Sequence, residues 1–588
     1  MKRLPAPIFF GPAARPCFGC LHGGEISGAP FGVVICSPFG REEVSAFRSL
    51  KAFAVAIEQA GMPVLRFDYD GCGDSAGDDL EPDRVEQWTA SVAAAIDEIK
   101  RLTGVTRVVL LGVRLGVLLG ALAARGRTDV VGLAAIAPVV RGRSFVREFV
   151  ALARASRDAE DAILAPDADM EAGGFVLSGQ TRTALSAMDL GTMTLDIARV
   201  LVIERDDMAG SQAWSEALRA QGQTVDALEL PGYSEMMLDP HATKIPEQMI
   251  ERVVDWLGET SAGMTADATA PSRQAGLSET VLPASAMNAL PVSEAATWID
   301  HQLFGILTRP VQAAPGASPA NTVVLLNAGA TRHVGPNRMH VELARQWAAR
   351  GVWVLRLDIA GLGESPAPVG CDENIVYTPY AVDDLRRTLH WLRTASGGAP
   401  CTVVGLCSGA YHAFKAAAAG DKIKAIVAIN PLTFFWKDDM PLDPPLPAHR
   451  VIGEAARYQR AALDPSRWLK LLRGRVDLRR AVQVVGMRVA QRLQSKVREV
   501  ARFLRMPLQD DLGVELDVAV RHGVELRFVF ADDDPGGPML WSQGGSVARR
   551  LAQGGQLRTV SLDRADHTFT RREARQRLMA VLDELVLR

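Results

Sequence analysis

The chain has 588 residues, is 48% hydrophobic and 23% charged, and carries a formal net charge of -3. At roughly 100–200 residues per domain this is more than one globular domain, with enough apolar content to bury large cores. The near-neutral balance excludes a strong overall electrostatic pull toward any one partner and leaves only local charge to weigh.

Met1-Lys2-Arg3 resembles the start of a signal peptide, but Pro5, Pro7 and Pro12 interrupt the short apolar run that follows. Val109 to Leu111 and Val117 to Leu122 are separated by Arg114, and nothing approaches the roughly 20 apolar residues that span a bilayer. A cytoplasmic protein is expected. Seven cysteines (Cys17, Cys20, Cys36, Cys72, Cys371, Cys401, Cys407) are scattered and odd in number, unlike a disulfide framework. Cys17 and Cys20 form a CxxC. With no second pair, two unliganded cysteines are the expected reading.

Short β-branched runs alternate with helical patterns. The first runs are Gly32 to Cys36, Val64 to Phe67, Val108 to Leu111, Val131 to Ile136 and Val200 to Ile203, with an insertion at about Arg141 to Leu195. The stretch 259–288 is rich in Ala, Ser, Thr and Gly, lacks apolar periodicity and reads as a flexible linker. The next runs are Thr322 to Leu326, Val352 to Leu357, Thr402 to Val404, Ile423 to Ile429 and Leu526 to Phe530, with an insertion at about 433–512 before the last strands. Continuous apolar strands separated by helices predict parallel sheets covered on both faces, with sites at the strands' carboxyl ends. Leu65-Arg66-Phe67-Asp68-Tyr69-Asp70-Gly71-Cys72-Gly73-Asp74-Ser75 repeats as Leu355-Arg356-Leu357-Asp358-Ile359-Ala360-Gly361-Leu362-Gly363-Glu364-Ser365. The expected domains are therefore 1–258 and 289–588, two copies of one architecture.

Gly405-Leu406-Cys407-Ser408-Gly409 runs from a strand into a helix. A nucleophile between glycines at such a junction is an elbow: the glycines permit the sharp turn, and Cys407 projects above the sheet. The helix start that follows favours a thiolate. An acid is expected after the strand Leu526 to Phe530, with Asp534 the choice and Asp533 the reserve. A base is expected after Val560-Ser561-Leu562, at His567. Ser408 N–H and Ala330 N–H are the expected oxyanion donors.

In the first copy the elbow is Gly112-Val113-Arg114-Leu115-Gly116, and arginine cannot be a nucleophile. Glu235 stands at the histidine position. Asp207, with Asp206 adjacent, keeps the acid position. Arg114, Glu235 and Asp207 are expected either as a structural replacement in an inactive domain or as an anion-binding pocket. His22 and His241 are spare bases away from the expected place.

On these motifs both halves resemble the α/β-hydrolase superfamily. Pro38-Phe39-Gly40-Arg41-Glu42-Glu43, Arg66-Phe67-Asp68-Tyr69 and the Arg114 elbow make about 8–257 resemble the exosortase-A-associated, serine-aminopeptidase-like hydrolases. About 303–587 looks like a superfamily member whose Gly405-Leu406-Cys407-Ser408-Gly409 is similar to that of the Cys-dependent aminoacyl transferases of nonribosomal peptide pathways. The resemblance implies two tandem α/β-hydrolase domains with helical cap insertions, and no metal or redox cofactor.

From Arg450 to Arg505 the second insertion is basic, with Arg473, Arg475, Arg479, Arg480, Arg488, Arg492 and Lys496 among its cations and apolar residues near helical spacing. It reads as a solvated cap face, with an acidic carrier protein or an anionic membrane surface as alternative partners; no nucleic-acid-binding fold accompanies it. The expected function is hydrolysis or transfer of an ester, thioester or amide acyl group through Cys407, His567 and Asp534. Acyl transfer between carrier proteins and a noncatalytic scaffold are the alternatives.

Overall fold

A computed structural model describes residues 4–155, 168–207, 210–264, 276–285, 288–311, 318–438, 440–442, 509–532 and 534–587. Contacts gather the chain into two compact units, one of Met1–Ala317 with Ala330–Ile375 and one of Ser318–Gly329 with Val376–Arg588. The basic stretch from Arg450 to Arg505, most of the second insertion and Asp533 lie outside the described residues. No helix among the described residues is long and apolar enough to cross a membrane.

The first unit opens with β1 (Ala6–Phe10), β2 (Cys17–His22), β3 (Gly32–Cys36), β4 (Val64–Phe67), β5 (Val108–Val113) and β6 (Val130–Ile136). A small hairpin, β7 (Met170–Ala172) and β8 (Phe175–Leu177), precedes β9 (Arg199–Glu204) and β10 (Thr224–Glu229). The main sheet has the order β1-β2-β4-β3-β5-β6-β9-β10, with β2 antiparallel to both neighbours. Alternate residues of its central strands feed opposite cores. Val34, Leu65, Leu110 and Leu133 pack against Trp88, Val92 and Ile96 of the helix Arg84–Thr103. Val33, Val64, Leu111 and Ala134 pack against Phe53 of Arg41–Gln59 and Val253 and Trp256 of Glu247–Ser261. Because both faces are covered, β3 and β5 are buried throughout, whereas the edge strand β10 is not.

Next come β11 (Glu279–Leu282), β12 (Val292–Ile299) and β13 (Leu303–Pro310); β14 (Thr322–Leu326) is the second unit's first strand, and β15 (Trp353–Leu357) belongs to the first unit. An antiparallel ladder runs β11-β12-β13-β15. The expected flexible linker is thus partly ordered: 259–261 end a helix, and Glu279–Leu282 pairs with β12. The second unit adds β16 (Cys401–Leu406), β17 (Ala425–Ile429), β18 (Glu525–Ala531) and β19 (Leu557–Leu562), parallel in the order β14-β16-β17-β18-β19.

The CxxC lies in β2, where a spacing of three puts its members on opposite faces. Cys17 packs into the core beneath Trp88 and Cys20 into a separate cluster with Phe304, so the pair cannot clasp one ion.

The repeated motif has one geometry in both copies. Ser75 Oγ donates to Asp68 O (2.6 Å) and accepts from Phe18 N–H (2.9 Å); Ser365 Oγ donates to Asp358 O (2.7 Å) and accepts from Phe304 N–H (2.8 Å). Each aspartate accepts the N–H of the acid six residues on, Asp74 or Glu364. Within the first unit these loops exchange partners. Arg66 binds Glu364 (2.8 Å), and Arg356 binds Asp74. Arg345 donates to the carbonyls of Asp74 and Ser75, while Lys51 donates to those of Gly363 and Glu364. Such i-to-j and j-to-i contacts are the pattern of a two-fold interface, here built inside one chain.

His333, fully buried, bridges Asp358 (2.7 Å) and Asp74 (2.8 Å). Burial opposes its charge, but Asp74 and Asp358 outweigh burial and push it up to about 9. Burial likewise opposes ionisation of Glu364, and Arg66 overrides it, holding the carboxyl at about 2. Removing one member of such a network strands a buried charge, at a cost of about 3–5 kcal/mol.

Candidate active site

In the second unit β16 passes into the helix Ser408–Ala418 through Cys407, whose φ of 58° and ψ of -115° are strained for a residue with a side chain. The turn is held from both sides. Cys407 N–H donates to Ile429 O (2.9 Å), and Cys407 O accepts from Tyr411 N–H (3.3 Å). A Cβ at Gly405 would lie 2.1 Å from Gly409 C, and one at Gly409 would lie 2.6 Å from Asn327 O. The glycines are therefore required by close backbone approach, and the sulfur is left at the start of a helix, where the dipole favours negative charge.

Asp534, after β18, is buried. Its Oδ1 accepts Gly536 N–H (2.9 Å), and its Oδ2 meets His567 Nδ1 at 2.5 Å. His567 follows β19. Its Nε2 is buried without a formed hydrogen bond, and Cys407 acts on the ring. Burial disfavours the imidazolium, but Asp534 and Cys407 outweigh it and raise His567 to about 10. Cys407 and His567 are half-buried, so the pair is reachable while its acid is not.

The three residues expected from the sequence are thus brought together. Ser408 starts the elbow helix, and its Oγ accepts Gly329 N–H (3.0 Å). Ala330, the other expected donor, falls by its contacts in the first unit.

Two residues were not anticipated. Asn430, in a left-handed turn (φ 44°) after β17, donates through Nδ2 to His567 O (2.7 Å) and accepts Ala531 N–H (2.8 Å). It ties the histidine loop to the end of the acid's strand. An asparagine directly after an apolar strand was the available signal, since asparagine tolerates positive φ. Tyr377 buries its hydroxyl without a hydrogen bond, with Cys407 among the side chains that act on it, and no motif pointed to it.

The first-copy elbow keeps the backbone: Arg114 has φ 53° and ψ -118°, between β5 and the helix Leu115–Ala124. The expected cluster of Arg114, Asp207 and Glu235 is not assembled. Arg114 pairs instead with Glu42 (2.8 Å) and Glu148. Asp207 pairs with Arg205 (2.7 Å) and Glu235 with Lys244 (2.5 Å). Asp206, not Asp207, reaches the old histidine loop, accepting from Gly232 N–H (2.9 Å) and Ser234 Oγ (2.7 Å). Local partners two and nine residues away draw off both acids. Already satisfied by two carboxylates, Arg114 is not presented as an empty anion pocket. His22 lies within β2 and accepts from Arg66 Nε (3.1 Å), and burial lowers its pKa. His241 sits in the short turn Pro240–Ala242.

Residues 321–468 match the family described as alpha/beta hydrolase fold, and residues 32–160 match serine aminopeptidase, S33. The chain therefore carries two tandem α/β-hydrolase-fold domains, mostly parallel sheets flanked by helices. No curated protein matches at a significant level. Similar solved structures include Est1E from Butyrivibrio proteoclasticus with bound ferulic acid, at 19% identity and a TM-score of 0.34, covering 44% of this chain and 98% of that one. Another is the mouse alpha/beta hydrolase domain-containing protein 10, at 16% identity and a TM-score of 0.31, covering 43% and 97%. A third is the proline iminopeptidase of Mycobacterium smegmatis, at 15% identity and a TM-score of 0.30, covering 44% and 99%. The superfamily supports hydrolytic or acyl-transfer chemistry in general terms.

Proposed function

We propose that the protein is an acyl-transferring enzyme that uses Cys407 as nucleophile, His567 as base and acid, and Asp534 as the group that orients the imidazole. The observation that carries this reading is His567 itself: Nδ1 is held by Asp534 at 2.5 Å, and Nε2 is left unpaired at the elbow cysteine.

His567 Nε2 takes the thiol proton, and Asp534 stabilises the resulting imidazolium. The sulfur attacks the acyl carbonyl carbon, a C–S bond forms, and the carbonyl π pair moves to oxygen. Ser408 N–H, at the helix start, is a donor for that oxyanion. Collapse restores C=O and breaks the bond to the leaving group, which takes the proton from Nε2. Water or a thiol then gives its proton to His567, attacks the thioester and releases the sulfur. A cysteine at the elbow favours a thiol acceptor, because thioester and thiol exchange with little change in bonding. An acidic carrier protein bearing such a thiol would meet the basic stretch around Arg473 to Lys496.

The test is intact-mass spectrometry of the full chain with activated acyl thioesters. An acyl adduct is expected on the wild type and not on Cys407→Ala. Faster release to a small thiol than to water would select transfer over hydrolysis. Equal labelling of the two proteins would overturn the assignment and favour a noncatalytic scaffold.

A further inference from the structure

The segment before the helix Ala381–Ala395 places one phenol beside the elbow. Tyr377 is 5% exposed. Its ring stacks on Trp436 (4.1 Å between centroids, 10°) and meets the edge of Tyr411 at 5.2 Å. Tyr411 donates its backbone N–H to Cys407 O, so the ring packs against a residue bonded to the turn that carries the sulfur. His412, next on that helix, bonds the carbonyl of Val376 (3.0 Å) and fixes the backbone beside Tyr377. Burial lowers His412 to about 4, so the imidazole is neutral and Nε2–H is the donor.

The hydroxyl of Tyr377 has no formed hydrogen bond, and Cys407, ahead of Tyr411, is the side chain that bears most on it. A phenylalanine would make the same ring contacts, so packing does not account for the oxygen. A buried polar atom without a partner is costly and calls for a ligand that completes it. His567 Nε2 is in the same condition at the same cysteine. Burial, reinforced by Cys407, raises the phenol's pKa, so it remains a donor and never becomes a base.

We propose that Tyr377 is a further catalytic residue, its hydroxyl donating a hydrogen bond to the Cys407 sulfur once that sulfur is ionised and to the acyl oxygen once the sulfur has attacked. No proton is transferred by Tyr377. It holds charge at each stage, while His567 carries the proton. The inference rests on the reading of Cys407 as nucleophile.

The full chain is compared with Tyr377→Phe, His567→Ala and Cys407→Ala for two quantities. These are the pH profile of iodoacetamide alkylation at residue 407 and the rate of acylation by an activated thioester. For Tyr377→Phe the expected result is acylation slower by about 10²–10³-fold at nearly unchanged KM, on the scale of one lost oxyanion donor. The alkylation profile is expected to move to higher pH, which a merely structural ring would not cause. Placing 3-fluorotyrosine at 377 keeps the ring and strengthens the donor, and is expected to move the profile to lower pH. Wild-type acylation and an unshifted profile in both variants would overturn the role of Tyr377 alone, provided His567→Ala is impaired. A Cys407 that is neither acylated nor sensitive to His567→Ala would overturn the nucleophile, and Tyr377 with it.

Discussion

The two elbows share a backbone and differ in everything placed on it. Arg114 and Cys407 have φ of 53° and 58° and ψ of -118° and -115°. Each donates its N–H to the end of the next strand, Ile136 O at 3.0 Å or Ile429 O at 2.9 Å. The residue after that strand has positive φ in both, Ala137 at 48° and Asn430 at 44°. Only the asparagine reaches across to hold a histidine loop. The elbow is thus a solution to joining a buried strand to a buried helix, with an arginine or a cysteine standing on it. The proposed chemistry needs additions: a nucleophile, an imidazole with an acid behind it, and a clamp for their loop. The first copy has an arginine at the corresponding position, paired with Glu42 and Glu148.

The largest effect expected from this contrast is on turnover. Cys407→Ala should lower it by at least about 10³-fold, with an unchanged unfolding temperature, because a small side chain fits the same turn. Arg114→Ala should leave turnover within a few-fold. A comparable loss from both would mean that the first elbow takes part in the chemistry. Asp534→Asn should cost about 10²–10⁴-fold by mis-orienting the imidazole. His567 is raised to about 10, so the leaving-group acid is present up to that pH and lost above it. Removing the Asp534 charge removes a raising influence, so the alkaline limb of the rate profile should move to lower pH. A limb that stays near 10 would place the shift elsewhere.

His333 provides a stability test confined to the first unit. Its folded pKa, about 9, lies above the ordinary 6.5. The stabilisation is therefore complete below about 6.5 and lost as pH rises through 9, an effect of up to about 3 kcal/mol. Thermal unfolding of the wild type should weaken over that window, and His333→Gln should flatten the dependence. Equal slopes in the two proteins would show that the buried bridge does not titrate. Next in size are the elbow glycines. A Cβ at Gly116 would lie 2.1 Å from Cys36 O, and one at Gly409 would lie 2.6 Å from Asn327 O. Both neighbours are backbone, so Gly116→Ala and Gly409→Ala should each destabilise by about 1–3 kcal/mol. Thermal melts in which only Gly409→Ala is destabilised would break the claim that both turns are packing requirements.

What the sequence made legible follows from local rules. Strands buried on both faces are continuous apolar runs, and the elbow, acid and base occupy fixed places relative to them, so Cys407, Asp534 and His567 could be read in order. The antiparallel strands β1, β2, β12 and β13 were missed because segments such as Cys17-Phe18-Gly19-Cys20-Leu21-His22 lack the β-branched signature while being fully buried. Asp206 and Asp207 are adjacent, and only the fold shows which one reaches residue 234. The repeat of Arg66 and Asp74 in Arg356 and Glu364 was visible, but the exchange of partners between copies is a three-dimensional fact. An arginine in the same place in two apolar strands was its sequence trace. Tyr377 lies in a loop, where no periodicity reports burial.

The smallest expected effect is at Arg114 itself. Its guanidinium is 4% exposed, but Glu42 and Glu148 are 27% and 43% exposed, so solvent takes up much of what the pairs supply. Arg114→Ser should therefore shift stability by only about 1 kcal/mol, the range of partly exposed ion pairs. It should also create no hydrolase activity, although serine is the usual nucleophile of an elbow. The serine would have no imidazole: Glu235 stands at that position and is engaged by Lys244. Asp206 would have nothing to orient, since it already caps Gly232 and Ser234. The measurement is ester and thioester turnover in an Arg114→Ser, Cys407→Ala double variant, where the second site cannot contribute. Turnover above the Cys407→Ala background would show that the first site needs only a nucleophile to work. The difference between the two sites would then be a matter of one side chain.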